Sequence, residues 1–229
     1  MRFIDPDGMW GDYYNQDGKK VGTDGNNDGK KYLVTDNSQA RSIARTTKSG
    51  GTTQVGDVSS AVLLPSNAAL KESLNVLKET VDGGGLKEHS SLVMTGGSVI
   101  EGSEGGQPKI QTDANGNSTS TAPSTLPSLP SDCISADVEA TIHSHPTDIQ
   151  VDGNTAYPHS ATIPSSQDGT TLSKYSTNII VGPLGQGSVS RSADGTLITS
   201  QTPLGAVIYN NNMQPQVQLT QKAIQKIVQ

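Results

Sequence analysis

A chain of 229 residues suffices for one sizeable domain or two small ones, but apolar residues supply only 31% of it and aromatics 3%, so part of the chain is expected outside any packed core, and the core must be aliphatic. Sixteen Lys+Arg against twenty-two Asp+Glu give a net charge of −6, which opposes a surface built to neutralise phosphates and excludes nucleic acid as the expected partner. The lone Cys133 excludes an internal disulfide and a multi-thiolate zinc site; no apolar run reaches the ~18 residues of a membrane span, and Met1–Asp7 lacks the apolar stretch of a signal peptide.

Residues 1–56 read as a turn-rich junction segment whose opening is short strands and turns: five of the aromatics (Phe3, Trp10, Tyr13, Tyr14, Tyr32) sit there among Asp-Gly and Asn-Asp-Gly turn signals, with a short helix around 39–47. Asp24-Gly-Asn26-Asn-Asp28-Gly matches the front of a calcium loop, but Thr35 stands where the bidentate Glu belongs, so the string reads first as hairpin turns. The organised domain is expected over 57–229. Val58–Leu64 is a strand ended by Pro65. Leu70, Leu74, Leu77 and Val81 recur at helical spacing, between Ser66 or Asn67 as cap and Gly83–Gly85 as stop. Residues 86–94 and 97–101 form a hairpin, and 113–132, rich in Ser, Thr and Pro, is expected as a disordered loop. Strands follow at 138–143, 178–181, 196–199 and 206–209, and the segment after Pro215 is expected to be a terminal helix. Strands interleaved with helices imply an α/β, α+β-like fold with helices packed on a mixed sheet.

The chemistry concentrates in Ala140-Thr-Ile-His143-Ser144-His145-Pro146. In extended backbone the side-chain period is two, so His143 and His145 share one side, placed to hold one ion. A hydrolytic zinc site wants three protein ligands and an open fourth position. In Ile163-Pro164-Ser165-Ser166-Gln167-Asp168 a helical turn would put Ser165 and Asp168 on one face, giving a third ligand and a hydroxyl; Pro-Ser-x-x-Asp is also an ordinary helix-capping arrangement.

His143-Ser-His145-Pro146 followed by Ser165-x-x-Asp168 resembles the JAMM motif of the JAB/MPN metalloprotease family: an upstream Glu, then His-x-His-Pro, then Ser-x-x-Asp. The resemblance covers roughly Val58 to the C-terminus and implies the JAB/MPN architecture, related to that of cytidine deaminases. It implies zinc on His143, His145 and Asp168, a Glu acting as general base and acid, and Ser165 stabilising the tetrahedral intermediate. Glu88, after the first helix and at the start of the next strand, is the choice for the Glu, ahead of Glu101; Glu104 sits further on, and Glu139 is too close to the histidines. One departure from the family pattern is the long polar insert 147–163, which could bulge out or border the substrate groove and offers His159 or Asp148 as substitute ligands.

Arg2-Phe-Ile-Asp-Pro-Asp-Gly-Met9 is similar to the closing segment of the RHS core of bacterial polymorphic toxins. That similarity implies a secreted effector delivered into target cells, attached to a parent RHS shell and countered by a cognate immunity protein. The expected function is a zinc-dependent toxin hydrolysing a peptide or isopeptide amide in a target protein. The alternatives are a catalytically silent JAB-like protein-binding module and a toxin of another hydrolase class. A zinc nucleobase deaminase fails on cysteine count, and neither Gly-x-Ser-x-Gly nor a phosphate-loop motif occurs.

Overall fold

The structure is a computed structural model that describes residues 11–229, so the Arg2–Met9 string lies outside the described residues. The chain begins with β1 (Asp12–Tyr14), β2 (Lys20–Thr23), β3 (Lys31–Val34), α1 (Asn37–Lys48) and β4 (Ala61–Leu63). Then come α2 (Asn67–Asp82), β5 (Ser90–Met94), β6 (Val99–Glu101), β7 (Lys109–Thr112), β8 (Ser118–Thr121) and β9 (Val138–Ser144). The remainder holds β10 (Gln150–Asp152), β11 (Thr155–Tyr157), α3 (Ser166–Leu172), β12 (Thr177–Pro183), β13 (Ser188–Arg191), β14 (Leu197–Ser200), β15 (Leu204–Asn210), β16 (Pro215–Thr220) and α4 (Gln221–Ile227). This is the expected mixed-sheet α/β class, of the α+β kind.

Six strands form the main sheet in the order β16-β15-β12-β9-β5-β6. Only β9 and β12 run parallel; the other neighbours are antiparallel. The β9–β12 connection is therefore a crossover, and it carries the β10–β11 hairpin and α3. One sheet face packs α2 and α4: Leu70, Val76 and Leu77 meet Ile142, Ile179 and Ile208, with Ala223, Ile224 and Ile227 beside them. Each such side chain, fully buried, stabilises by about 1.5–3 kcal/mol, which is how an aliphatic core manages with few aromatics. The other face is covered near β5 by Tyr175, Leu126 and Leu129 over Leu92 and Val138, and near β15 by Ala161 against Ile180, Val207 and Tyr209. α2 forms where its leucines predict, capped by Ser66, whose amide and hydroxyl are themselves held by Glu139 of β9 at 2.7 and 2.8 Å. Its buried stripe ends on Thr80, while Val81 is exposed.

Three expectations differ from the structure. The short strands expected in the turn-rich opening form, but they build a folded unit rather than a junction, a sheet of order β2-β1-β3-β4 with α1 on one face. Alternate residues serve its two sides, Tyr13 and Tyr32 toward α1 and Tyr14 and Leu33 into the main core, and β3–β4 pairing crosses the division expected at residues 56 and 57. Gly18, at φ 72°, allows the β1–β2 turn to touch α4, where any Cβ would collide with Ala223 backbone. Second, the loop expected over 113–132 contains β8, closed against β7 by a turn whose Asp113 carboxylate accepts the Asn115 and Asn117 amides at 2.8 and 2.9 Å. Leu126 and Leu129 are anchored on the sheet beyond it, so even sparse leucines suffice to tie this polar stretch down. Third, residues 215–220 are strand β16 rather than helix: Val217 and Leu219 are buried between exposed Gln216 and Gln218, a period of two that overrides the helical reading, and the helix begins only after the Thr220 cap.

Candidate metal centre

Strand direction brings the expected residues to one place. β9 and β12 run parallel, and the site lies at their carboxyl end, where crossover connections leave a crevice in open sheets. β9 delivers His143 within the strand and His145 just past it, the latter's amide bonded to the Val181 carbonyl of β12 at 2.8 Å. Because β5 is antiparallel to β9, its start lies at this same end; Ser90 pairs with His143, and Glu88 stands two residues earlier. α3, inside the crossover, supplies Asp168.

Alternation along β9 works as the sequence predicts. Ile142 packs into the α2 side of the core, and Ser144 also points that way, within 2.6 Å of Thr80 Oγ1 and accepting the His89 amide at 2.8 Å. His143 and His145 face the opposite side, with ring centroids 5.3 Å apart. Their Nε2 atoms each lie 3.3 Å from Asp168, His143 from Oδ1 and His145 from Oδ2. One ligand atom from each of the three residues falls within 4.8 Å of the others, the sole such group among the described residues. Tetrahedral ligands at about 2.0–2.1 Å from zinc stand about 3.3–3.4 Å from one another, and each imidazole lies at that distance from one of the two Asp168 oxygens. His143 Nε2 is buried with no hydrogen-bond partner despite its nearness to Oδ1: the two atoms are not aimed at each other, as is expected when they are aimed at a common point.

The surroundings fix the ligands. His145 Nδ1 lies 2.8 Å from the Ser160 carbonyl; a carbonyl only accepts, so Nδ1 carries the hydrogen and the Nε2 lone pair of the neutral ring is free to ligate. Ser165 caps α3 in a reciprocal box: its amide donates to Asp168 Oδ2 at 2.6 Å, and its Oγ accepts the Asp168 amide at 3.1 Å. The capping pattern and the ligand pattern are thus one structure, with the box orienting the carboxylate toward the imidazoles. Ser165 Oγ uses only its acceptor side in that bond, and its hydrogen remains available.

The two acids of the site face imidazoles rather than Lys or Arg. Glu88 is 8% exposed, and burial pushes its carboxyl up to about 8, with His145 lowering and Asp168 raising it. Burial also disfavours ionised Asp168, but the nearness and charge of His143 and His145 outweigh it and hold its pKa far below the usual range. Burial lowers His143. It works the same way on His145, yet Asp168, Glu88 and the Ser160 carbonyl together turn the net direction upward. A cavity of about 300 Å³ opens over this group, lined among others by Glu88, His159, Ser165 and Leu126, and no Lys or Arg lines it.

The other candidates have different work. Glu101 is exposed on β6, Glu104 pairs with Lys87 at 2.7 Å, and Glu139 holds the α2 cap. In the insert, Asp148 accepts the Ile149 amide at 2.8 Å. His159 borders the cavity and is pushed down to about 4, by burial first and then by His145. At the calcium-like string, Asp24 accepts the Asn26 amide at 2.8 Å and Asp28 pairs with Lys30 at 2.8 Å. Sequence reasoning missed Ser160 and the Ser144–Thr80 contact; the first acts through its backbone carbonyl, which no motif encodes. Comparisons with family models, curated proteins and solved structures find no match to this chain.

Proposed function

We propose that this chain is a zinc-dependent hydrolase of peptide or isopeptide amides, with His143, His145 and Asp168 as metal ligands. The observation that carries the reading is the meeting of two imidazoles and one carboxylate at 3.3 Å, beside a buried glutamate, in a cavity lined by no Lys or Arg. When bound, zinc supplies Lewis acidity and lowers the pKa of a water from about 15.7 toward 7. Glu88 takes the proton of the attacking water and returns it to the departing amine; desolvation makes its carboxyl a stronger base than a surface glutamate, suited to work near neutral pH. The free Ser165 hydroxyl hydrogen is donated to the carbonyl oxygen as it gains charge, a contact whose loss typically costs about 10²–10³ in rate. His145 is kept in its working tautomer by Ser160, and Asp168 in its orientation by the α3 cap.

The resemblance of Arg2–Met9 to an RHS junction supports the further reading of a secreted effector that acts on a protein of the target cell. The test is to incubate zinc-loaded protein and its Glu88→Gln variant with a bacterial lysate and to map new peptide termini by mass spectrometry. Termini produced by the native protein alone support the hydrolase. Identical maps, with one zinc retained in both, point to a silent binding module.

A further inference from the structure

We infer that the groove between the β1–β2 hairpin and α1 is a docking site for an acidic, partly apolar protein segment. Its volume is about 530 Å³; Lys19, Lys20 and Val21 line one wall, and Ala40, Arg41, Ala44 and Lys48 line the other. No Asp or Glu lines it. Lys20 is committed to Asp12 at 2.5 Å, whereas Lys19, Arg41 and Lys48 form no ion pair among the described residues. The floor is rigid, because Gly22 has no side chain and α1 presses onto β2 there, with Ile43 and Thr47 in the space a Cβ would need.

The charge is concentrated. Residues 11–56 carry seven Lys+Arg and five Asp+Glu, while 57–229 carry eight and fifteen. A cationic groove on an anionic protein selects for local carboxylates, since the remainder of the surface repels an extended polyanion. Nucleic acid is disfavoured further because no aromatic side chain lines the groove for bases to stack on. Half-buried Val21 and Ala44 offer a small apolar strip between the cations, so the fitting ligand alternates carboxylates with aliphatic side chains. This site is independent of the metal centre and of the activity proposed there.

The experiment measures fluorescence anisotropy at low salt with three short labelled probes: a peptide alternating Glu and Leu, one alternating Lys and Leu, and a single-stranded oligonucleotide of matched charge. We expect the Glu/Leu peptide to bind, with affinity falling as salt rises. Arg41→Glu with Lys48→Glu should weaken it about tenfold or more. The milder pair Lys19→Gln with Arg41→Gln should weaken it severalfold, and Lys71→Glu with Lys109→Glu, on α2 and β7, should leave it unchanged. Absence of binding, equal binding by the groove variants, or tighter binding of the oligonucleotide would overturn the inference.

Discussion

The two sheets treat buried acid in opposite ways. In the N-terminal sheet Asp12 is 2% exposed, and the protein answers it with Lys20 at 2.5 Å and the Tyr14 hydroxyl at 3.4 Å. At the carboxyl end of the main sheet, Glu88 and Asp168 sit in a cavity lined by no Lys or Arg and share it with two imidazoles. A buried charge without a matched partner costs several kcal/mol. The first region is an ion-paired structural site, and the second gathers His143, His145 and Asp168 into a group that could hold a metal ion.

The largest expected effect breaks the second region. The native protein should bind one equivalent of zinc, and His145→Ala or Asp168→Ala should bring that to none by elemental analysis, with loss of cleavage. Metal at 100 times its Kd should stabilise the native fold by about 2.7 kcal/mol, read as a rise in Tm that chelator reverses. Retention of zinc by both variants would remove these residues from the metal centre.

Next comes Glu88, whose cost to the metal-free fold has a definite pH dependence. Its pKa is raised from 4.5 to about 8 in the folded protein, so the native state holds a proton that the unfolded state has released. The stability from that proton is complete below about pH 4.5 and is lost as pH rises through about 8. In chelator-treated protein, Glu88→Gln should remove this decline and gain on the order of 2–4 kcal/mol at pH 8.5 relative to native, and in zinc-loaded protein it should abolish cleavage. Denaturant melts of both proteins across that range measure it. Parallel pH profiles would place Glu88 in contact with solvent and weaken its assignment as the proton carrier.

The contrast between the two regions also explains what was legible in the sequence. His143, His145, Ser165 and Asp168 could be found because each acts through a side chain in a fixed spacing, and the period of two along β9 already sets which way the imidazoles point. The strands flanking the site could be read from their aliphatic runs, such as Asn178–Val181. By contrast, the opening could be read as short strands and turns but not as a sheet, because strands of three or four residues between Asp-Gly turns carry no repeat long enough to distinguish a folded unit from a junction segment. Only the burial of Tyr13 and Tyr14 on opposite sides reveals the sheet. Ser160 was invisible because its carbonyl does the work, and β16 because Val217 and Leu219 stand close enough to the α4 residues to imitate a helical stripe.

A smaller effect tests the first region. Lys20→Met should destabilise by about 1–3 kcal/mol, less than a fully buried pair would cost, because the Lys20 side chain is 40% exposed and solvent screens part of the attraction. Zinc should not restore it beyond the gain seen in the native protein. Recovery of the variant by zinc to native stability would show that the two sheets are not energetically separate in the way their charge pairing implies.

The smallest expected change in stability concerns Ser165, where structure and chemistry overlap. Ser165→Ala removes the Oγ that accepts the Asp168 amide and should cost about 1 kcal/mol, the usual effect of losing an N-cap. Ser165→Asn preserves capping, so its Tm should stay within a degree or two of native by the size scaling of such small differences. If the hydroxyl also serves the reacting carbonyl, Asn should still lower turnover about 10²-fold with zinc content intact. If the residue matters only as a cap, Asn should behave as native and Ala should lose rate only as far as its Asp168 loosens its hold on the metal. The pair of variants thus separates the two roles that a single Ser-x-x-Asp string carries, because one substitution keeps the cap and removes the hydroxyl while the other removes both.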